Sequence, residues 1–84
     1  MMLRERTVEK TYELEALARL LASSLGEEKA GEAVRAAARE LGIVAARPVN
    51  FQQALEIFEN IAQTPGIIGV TARFAKSRLH LAAS

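Results

Sequence analysis

These 84 residues contain no cysteine, no aspartate and a single histidine. Without cysteine there can be no disulfide, no thiolate metal site and no cysteine nucleophile. The lone His80 follows Lys76 by one helical turn and Arg73 by two, and no acidic residue stands near it in sequence to orient it as a base. It is read as a surface histidine near a helix C-terminus, where partial positive charge is favourable. No catalytic residue, cofactor site or metal site is therefore expected. Net charge is also scarce. Eleven cations against ten carboxylates leave +1, which gives no general pull toward nucleic acid or acidic lipid, so any anion site must be local. Long apolar runs are missing as well. None approaches the roughly 18 residues a membrane span needs, and MMLRERTVEK has no apolar signal region. A cytoplasmic protein without membrane contact is the expectation.

What the chain has in abundance is alanine. Of the 42 residues counted as hydrophobic, 16 are alanine, leaving 26 larger apolar side chains. Alanine favours helix and lets helices approach closely, but it buries little area per residue. The length allows one small domain, near the size at which a single core gives modest stability and oligomerisation often helps. All ten acids are glutamate and arginine outnumbers lysine eight to three, a bias that fits a thermophilic source.

Periodicity then predicts an all-α domain of four helices, at about 5–25, 28–41, 51–63 and 65–81, joined by short turns. Leu14, Leu17, Leu21 and Leu25 recur at helical spacing, with Ala18 and Leu20 widening the stripe. Gly26 supplies the stop. In the second helix Glu27, Glu28 and Glu32 precede Arg35 and Arg39, which complements the helix dipole, and Gly42 ends it. Its buried face would be Ala30, Ala33, Val34, Ala37, Ala38 and Leu41. Pro48 interrupts the seven-residue connection IVAARPV. Asn50, with Gln53 three residues later, then forms a capping-box signature, and Val49 can staple against Ala54.

The run TPGIIGVTARFAKSRLHL (64–81) poses the hardest choice. Isoleucine and valine favour a strand over 67–71, but no second convincing strand exists to pair with it, and a lone strand leaves its hydrogen bonds unmade. Helix is favoured, with Thr64 as N-cap and Pro65 at the first helical position. Ile67, Thr71, Phe74 and Leu81 then share one face, beside Ile68, Ala75 and Leu79. Arg78 joins that face and is expected to be partly buried, held by a carboxylate or by helix-end carbonyls. Gly66 and Gly69 fit a close backbone approach, with the alanine-lined second helix as the natural partner.

Several motifs bear on chemistry. Glu5, Glu9 and Glu13 stand four apart on one face of the first helix, but a dinuclear carboxylate site needs Glu-x-x-His pairs, and Ser77 lies three before His80. A solvated or ion-paired face is the better account. AAARELGI (36–43) resembles the first helix and turn of a helix-turn-helix. Pro48 falls inside the would-be recognition helix, however, and RPVNFQQALE offers one cation. GIIG (66–69) has G-x-x-G loop spacing, but its central isoleucines belong in a core rather than against a phosphate backbone. Arg73, Lys76 and His80, at i, i+3 and i+7, form one basic face. Residues 60–84 carry three cations and no acid, whereas 1–59 carry eight cations and ten acids. With charge balanced overall and polarised along the chain, pairing with Glu5, Glu9, Glu13, Glu56 or Glu59 is preferred to a foreign phosphate.

The expected function is that of a non-enzymatic structural or regulatory protein acting through self-association, dimer before tetramer, and through a protein partner. The candidate oligomer or core seam is Phe51, Leu55, Phe58, Ile61, Ile67, Ile68, Phe74 and Leu79, because the third and fourth helices are apolar over more than one stripe. The alternative is a small nucleic-acid-binding protein using Arg73, Lys76, His80 and Arg47. A small-molecule carrier with its ligand between helices ranks third.

Overall fold

The computed structural model describes residues 10–44 and 46–83. A short strand β1 (Thr11–Tyr12) leads into α1 (Leu14–Leu25) and α2 (Glu27–Glu40). A second strand β2 (Val49–Asn50) leads into α3 (Phe51–Ala62) and α4 (Ile67–Ala83). The four expected helices are present, so the all-α reading holds for the bulk of the chain. The two strands correct it. They pair antiparallel, Thr11 opposite Asn50 and Tyr12 opposite Val49, and so tie the entry to α1 to the entry to α3.

That ladder also corrects the start of the first helix, which was expected at residue 5. Residues 5–9 lie outside the described residues. Glu13 is extended at φ −73° and ψ 147°, and caps α1 with its carbonyl, which accepts from the amides of Ala16 and Leu17 at 3.0 and 3.2 Å. Its side chain makes no cap hydrogen bond. The expected helical row of Glu5, Glu9 and Glu13 therefore does not extend to Glu13.

Leu14, Leu17 and Leu21 are buried along α1. One residue, Gly26, separates α1 from α2, so the chain must reverse within a single backbone unit. It does so at φ +86° and ψ 157°, a conformation essentially reserved for glycine. A Cβ there would meet nothing within 4 Å, so the whole cost of a side chain is backbone strain. Gly26→Ala is expected to destabilise the fold by about 1–3 kcal/mol, read as a lower urea midpoint at unchanged slope. An unaltered midpoint would mean the turn has another low-energy form.

Helix α2 buries Ala30, Val34, Ala37 and Ala38. The small side chains let it sit against both α1 and α3. It ends in a Schellman motif: Gly42 has φ +74°, its amide bonds the Arg39 carbonyl at 3.1 Å, and the Ile43 amide reaches the Ala38 carbonyl at 2.8 Å. Leu41, expected on the buried face, is instead 39% exposed because it occupies the cap, past the last helical residue.

The capping box is present in full at α3. The Asn50 side-chain oxygen accepts from the Gln53 amide at 2.7 Å, and the Gln53 side chain accepts from the Asn50 amide at 3.0 Å. Ala54, Leu55, Ile57, Phe58 and Ile61 are all buried. The wide apolar surface of α3 is thus covered within one chain, between α2 and α4. It needs no second subunit.

Helix α4 starts two residues later than expected. Gly66, at φ +87°, precedes it, and the Gly66 carbonyl accepts from the Val70 amide at 3.2 Å, so Thr64 and Pro65 belong to the turn. The close approach foreseen for Gly69 is real, but the partner is different. A Cβ on Gly69 would overlap the Thr64 carbonyl oxygen and lie 2.8 Å from that of Ala62. The chain's own turn folds closest over this glycine. At Gly66 the space is open, and its positive φ is what favours glycine.

Candidate functional site: the outer faces of the fourth helix

Helix α4 presents three faces. The face toward the core carries Thr71, Ala72, Ala75 and Leu79, all buried, with Ile68 packed at its edge. The sequence placed Ile67, Thr71 and Phe74 together on one face, as core or as a subunit seam. The structure turns the helix so that Thr71 goes in, while Ile67 and Phe74 stay out.

The second face is an open apolar stripe. Ile67, Val70, Phe74 and Leu81 are 63, 44, 68 and 76% exposed. Beside it a groove of ≈ 380 Å³ runs between α4 and α1, lined by Leu20, Ser23, Ser24, Phe74, Arg78 and Leu81 among others. It exists because α1 packs closely on α2 and α3 on α4, whereas α1 meets α4 more sparsely. Arg78, expected to be partly buried and held by a carboxylate or by helix-end carbonyls, is exposed at the wall of this groove. No carboxylate partner for it occurs among the described residues.

The third face carries the cations. Lys76 Nζ donates to Glu59 Oε2 at 2.7 Å, tying α4 to α3 as the balanced charge had implied. With the two side chains 34 and 54% exposed, the pair contributes at most about 1 kcal/mol. His80 sets its ring edge-on to Phe51, with centroids 5.5 Å apart and planes at 82°. Arg73 is exposed on α4, and Arg47 is exposed in the loop before β2. The foreseen basic face is therefore split: Lys76 is neutralised within the chain, His80 leans on an aromatic ring, and Arg73 projects beside the apolar stripe.

The foreseen seam divides in the same way. Leu55, Phe58, Ile61 and Leu79 are core residues, Phe51 and Ile68 flank the core, and Ile67 and Phe74 stand outside it. Val70 and the α1 residues Leu20, Ser23 and Ser24 were not foreseen as part of a site. The signal for Val70 was present in the spacing of Ile67, Phe74 and Leu81, seven residues apart, with Val70 three after Ile67.

Other arrangements offer less chemistry. A groove of ≈ 450 Å³ lies between α2 and the α3–α4 side, over Ala33, Ala36 and Ala37. At its edge the Asn60 side-chain amide donates to Glu40 Oε1 at 2.8 Å. It is an open surface depression, which does not favour a carrier that encloses its ligand. Among the described residues no group of three or more His, Cys, Asp or Glu side chains is placed to hold a metal ion, and no helix is long and apolar enough to cross a membrane. No family model, curated protein or solved structure matches this chain.

Proposed function

We propose that this chain is a non-enzymatic interaction protein, structural or regulatory in role, which acts by docking another helix along the open apolar face of α4. The row of Ile67, Val70, Phe74 and Leu81 carries this reading. Four large apolar side chains, all left in water on one side of one helix, are a costly arrangement unless something covers them. The core does not need them, since the α3–α4 contact is closed by Ala72, Ala75 and Leu79. The covering helix comes either from a second copy, giving a dimer or tetramer, or from a protein partner.

A second reading, a nucleic-acid face, draws on the acid-free stretch 60–84 and on the exposed Arg73 and Arg47. It is weakened by the Lys76–Glu59 pair and leaves the apolar stripe unused.

The two separate in one set of measurements on the wild type, Phe74→Asp, and Arg73→Glu with Lys76→Glu. The interaction reading expects a mass above that of the monomer in light scattering, or a protein captured from extract, either one lost in Phe74→Asp. A monomer that captures no protein, but retains DNA or RNA in a steeply salt-dependent way lost in the double charge reversal, would overturn it.

A further inference from the structure

We infer that the occupant of the α4 face is an amphipathic helix of a foreign protein whose apolar stripe is flanked by carboxylates. This rests on the interaction reading above and names the chemistry of the partner. Ile67, Phe74 and Leu81, with Val70, have the spacing of a helix–helix seam. The residues edging that seam are cationic on both sides. Arg73 precedes the seam residue Phe74 on one edge, and Arg78 stands on the other, at the wall of the groove toward α1. From α1 the groove receives Leu20, Ser23 and Ser24, which bring no charge, while the α1 carboxylate Glu15 opens onto the side facing α2. Among the described residues a helix laid here meets apolar side chains along its middle, cations at both edges and no carboxylate.

In helix pairing the flanking positions choose the partner by charge, and like charges face to face act against the wrong one. A second copy fails that test in both directions. Parallel α4 helices set Arg73 of one copy against Arg78 of the other, and antiparallel ones centred on Phe74 bring the two Arg73 side chains together beside the axis. Among the described residues no other helix of the chain offers an exposed apolar stripe with acidic flanks for a copy to use instead. Nucleic acid supplies the negative charge but nothing to take up Ile67, Phe74 and Leu81. An acidic amphipathic helix supplies both.

Three synthetic helices sharing one apolar heptad pattern, flanked by Glu, Gln or Lys, test the inference when titrated into the full chain by fluorescence anisotropy. The Glu-flanked helix is expected to bind roughly fivefold more tightly than the Gln-flanked one, as two weak charge pairs allow, and to weaken with salt. The Lys-flanked helix should not bind. Phe74→Asp should abolish binding, and Arg73→Glu with Arg78→Glu should shift the preference to the Lys-flanked helix, which also shows that this variant is folded. Equal binding of all three would overturn the acidic partner and leave the interaction reading standing. So would failure of all three, if the protein sediments as an oligomer that Phe74→Asp splits. Binding to phosphatidylserine vesicles but to no helix, lost in Phe74→Asp, would overturn both, as would a protein that binds nothing and is indifferent to that change.

Discussion

Gly69→Ala is expected to destabilise the fold by about 3 kcal/mol, while Gly31→Ala, also inside a helix, is expected to stabilise it by about 1 kcal/mol. Propensity alone gives both substitutions the same sign, because alanine is the better helix residue. Their surroundings separate them. At Gly31 an added Cβ meets the Arg35 guanidinium at 3.1 Å, the far end of a flexible side chain that can swing aside. At Gly69 it meets two carbonyls of the α3–α4 turn, those of Thr64 and Ala62, which move only if the turn or the helix moves. The stability of a domain runs at roughly 0.05–0.15 kcal/mol per residue, so 84 residues hold about 4–13 kcal/mol. A loss of about 3 is then a large share. Because this turn aims α4, the damage should reach the docking face as well. Urea denaturation followed by circular dichroism decides it, and two shifts of the same sign would show that the turn does not press on Gly69.

The features that were legible in the sequence share a short-range cause. The Asn50–Gln53 box, the Gly42 stop and the Gly26 break are set by neighbours within a few residues, so the local pattern contains the answer. The β1–β2 ladder joins Thr11–Tyr12 to Val49–Asn50, partners far apart in the chain. Two-residue strands have no periodicity to read, and tertiary context places them. The fixed φ of Pro65 suits a first helical turn, yet the positive φ of the next residue, Gly66, puts Pro65 in the turn and starts the helix two residues after it, at Ile67.

The rotation of α4 is what places the exposed stripe, and hydrophobicity alone could not choose between core and seam. A helix apolar on two faces has two candidate core faces, and the spacing of Ile67, Phe74 and Leu81 left open whether theirs was core or a subunit seam. Helices α3 and α4 pack together, Phe58 and Ile61 are buried on α3, and Ala72 and Ala75 are buried on α4, where small side chains let helices close together. The Lys76–Glu59 pair agrees with that rotation. Ala72 went unnoticed because alanine carries little weight in any hydrophobic pattern, although its small size is what suits it to this contact.

Phe58→Ala and Phe74→Ala test that rotation directly. Phe58 is 0% exposed on α3, a helix packed between α2 and α4, and its removal leaves a cavity that a core closed on several sides cannot readily fill. The expected cost is about 3–5 kcal/mol, enough to leave much of the chain unfolded at ordinary temperature if total stability sits near the low end of its range. Phe74 is the same residue type at 68% exposure. Truncating it removes no buried contact, so its effect on the urea midpoint should stay within about 0.5 kcal/mol, while any helix docked on α4 loses its central anchor. One phenylalanine holds the fold and the other lies outside the core. If Phe74→Ala instead cost as much stability as Phe58→Ala, the stripe would be core in solution and the docking face would not exist.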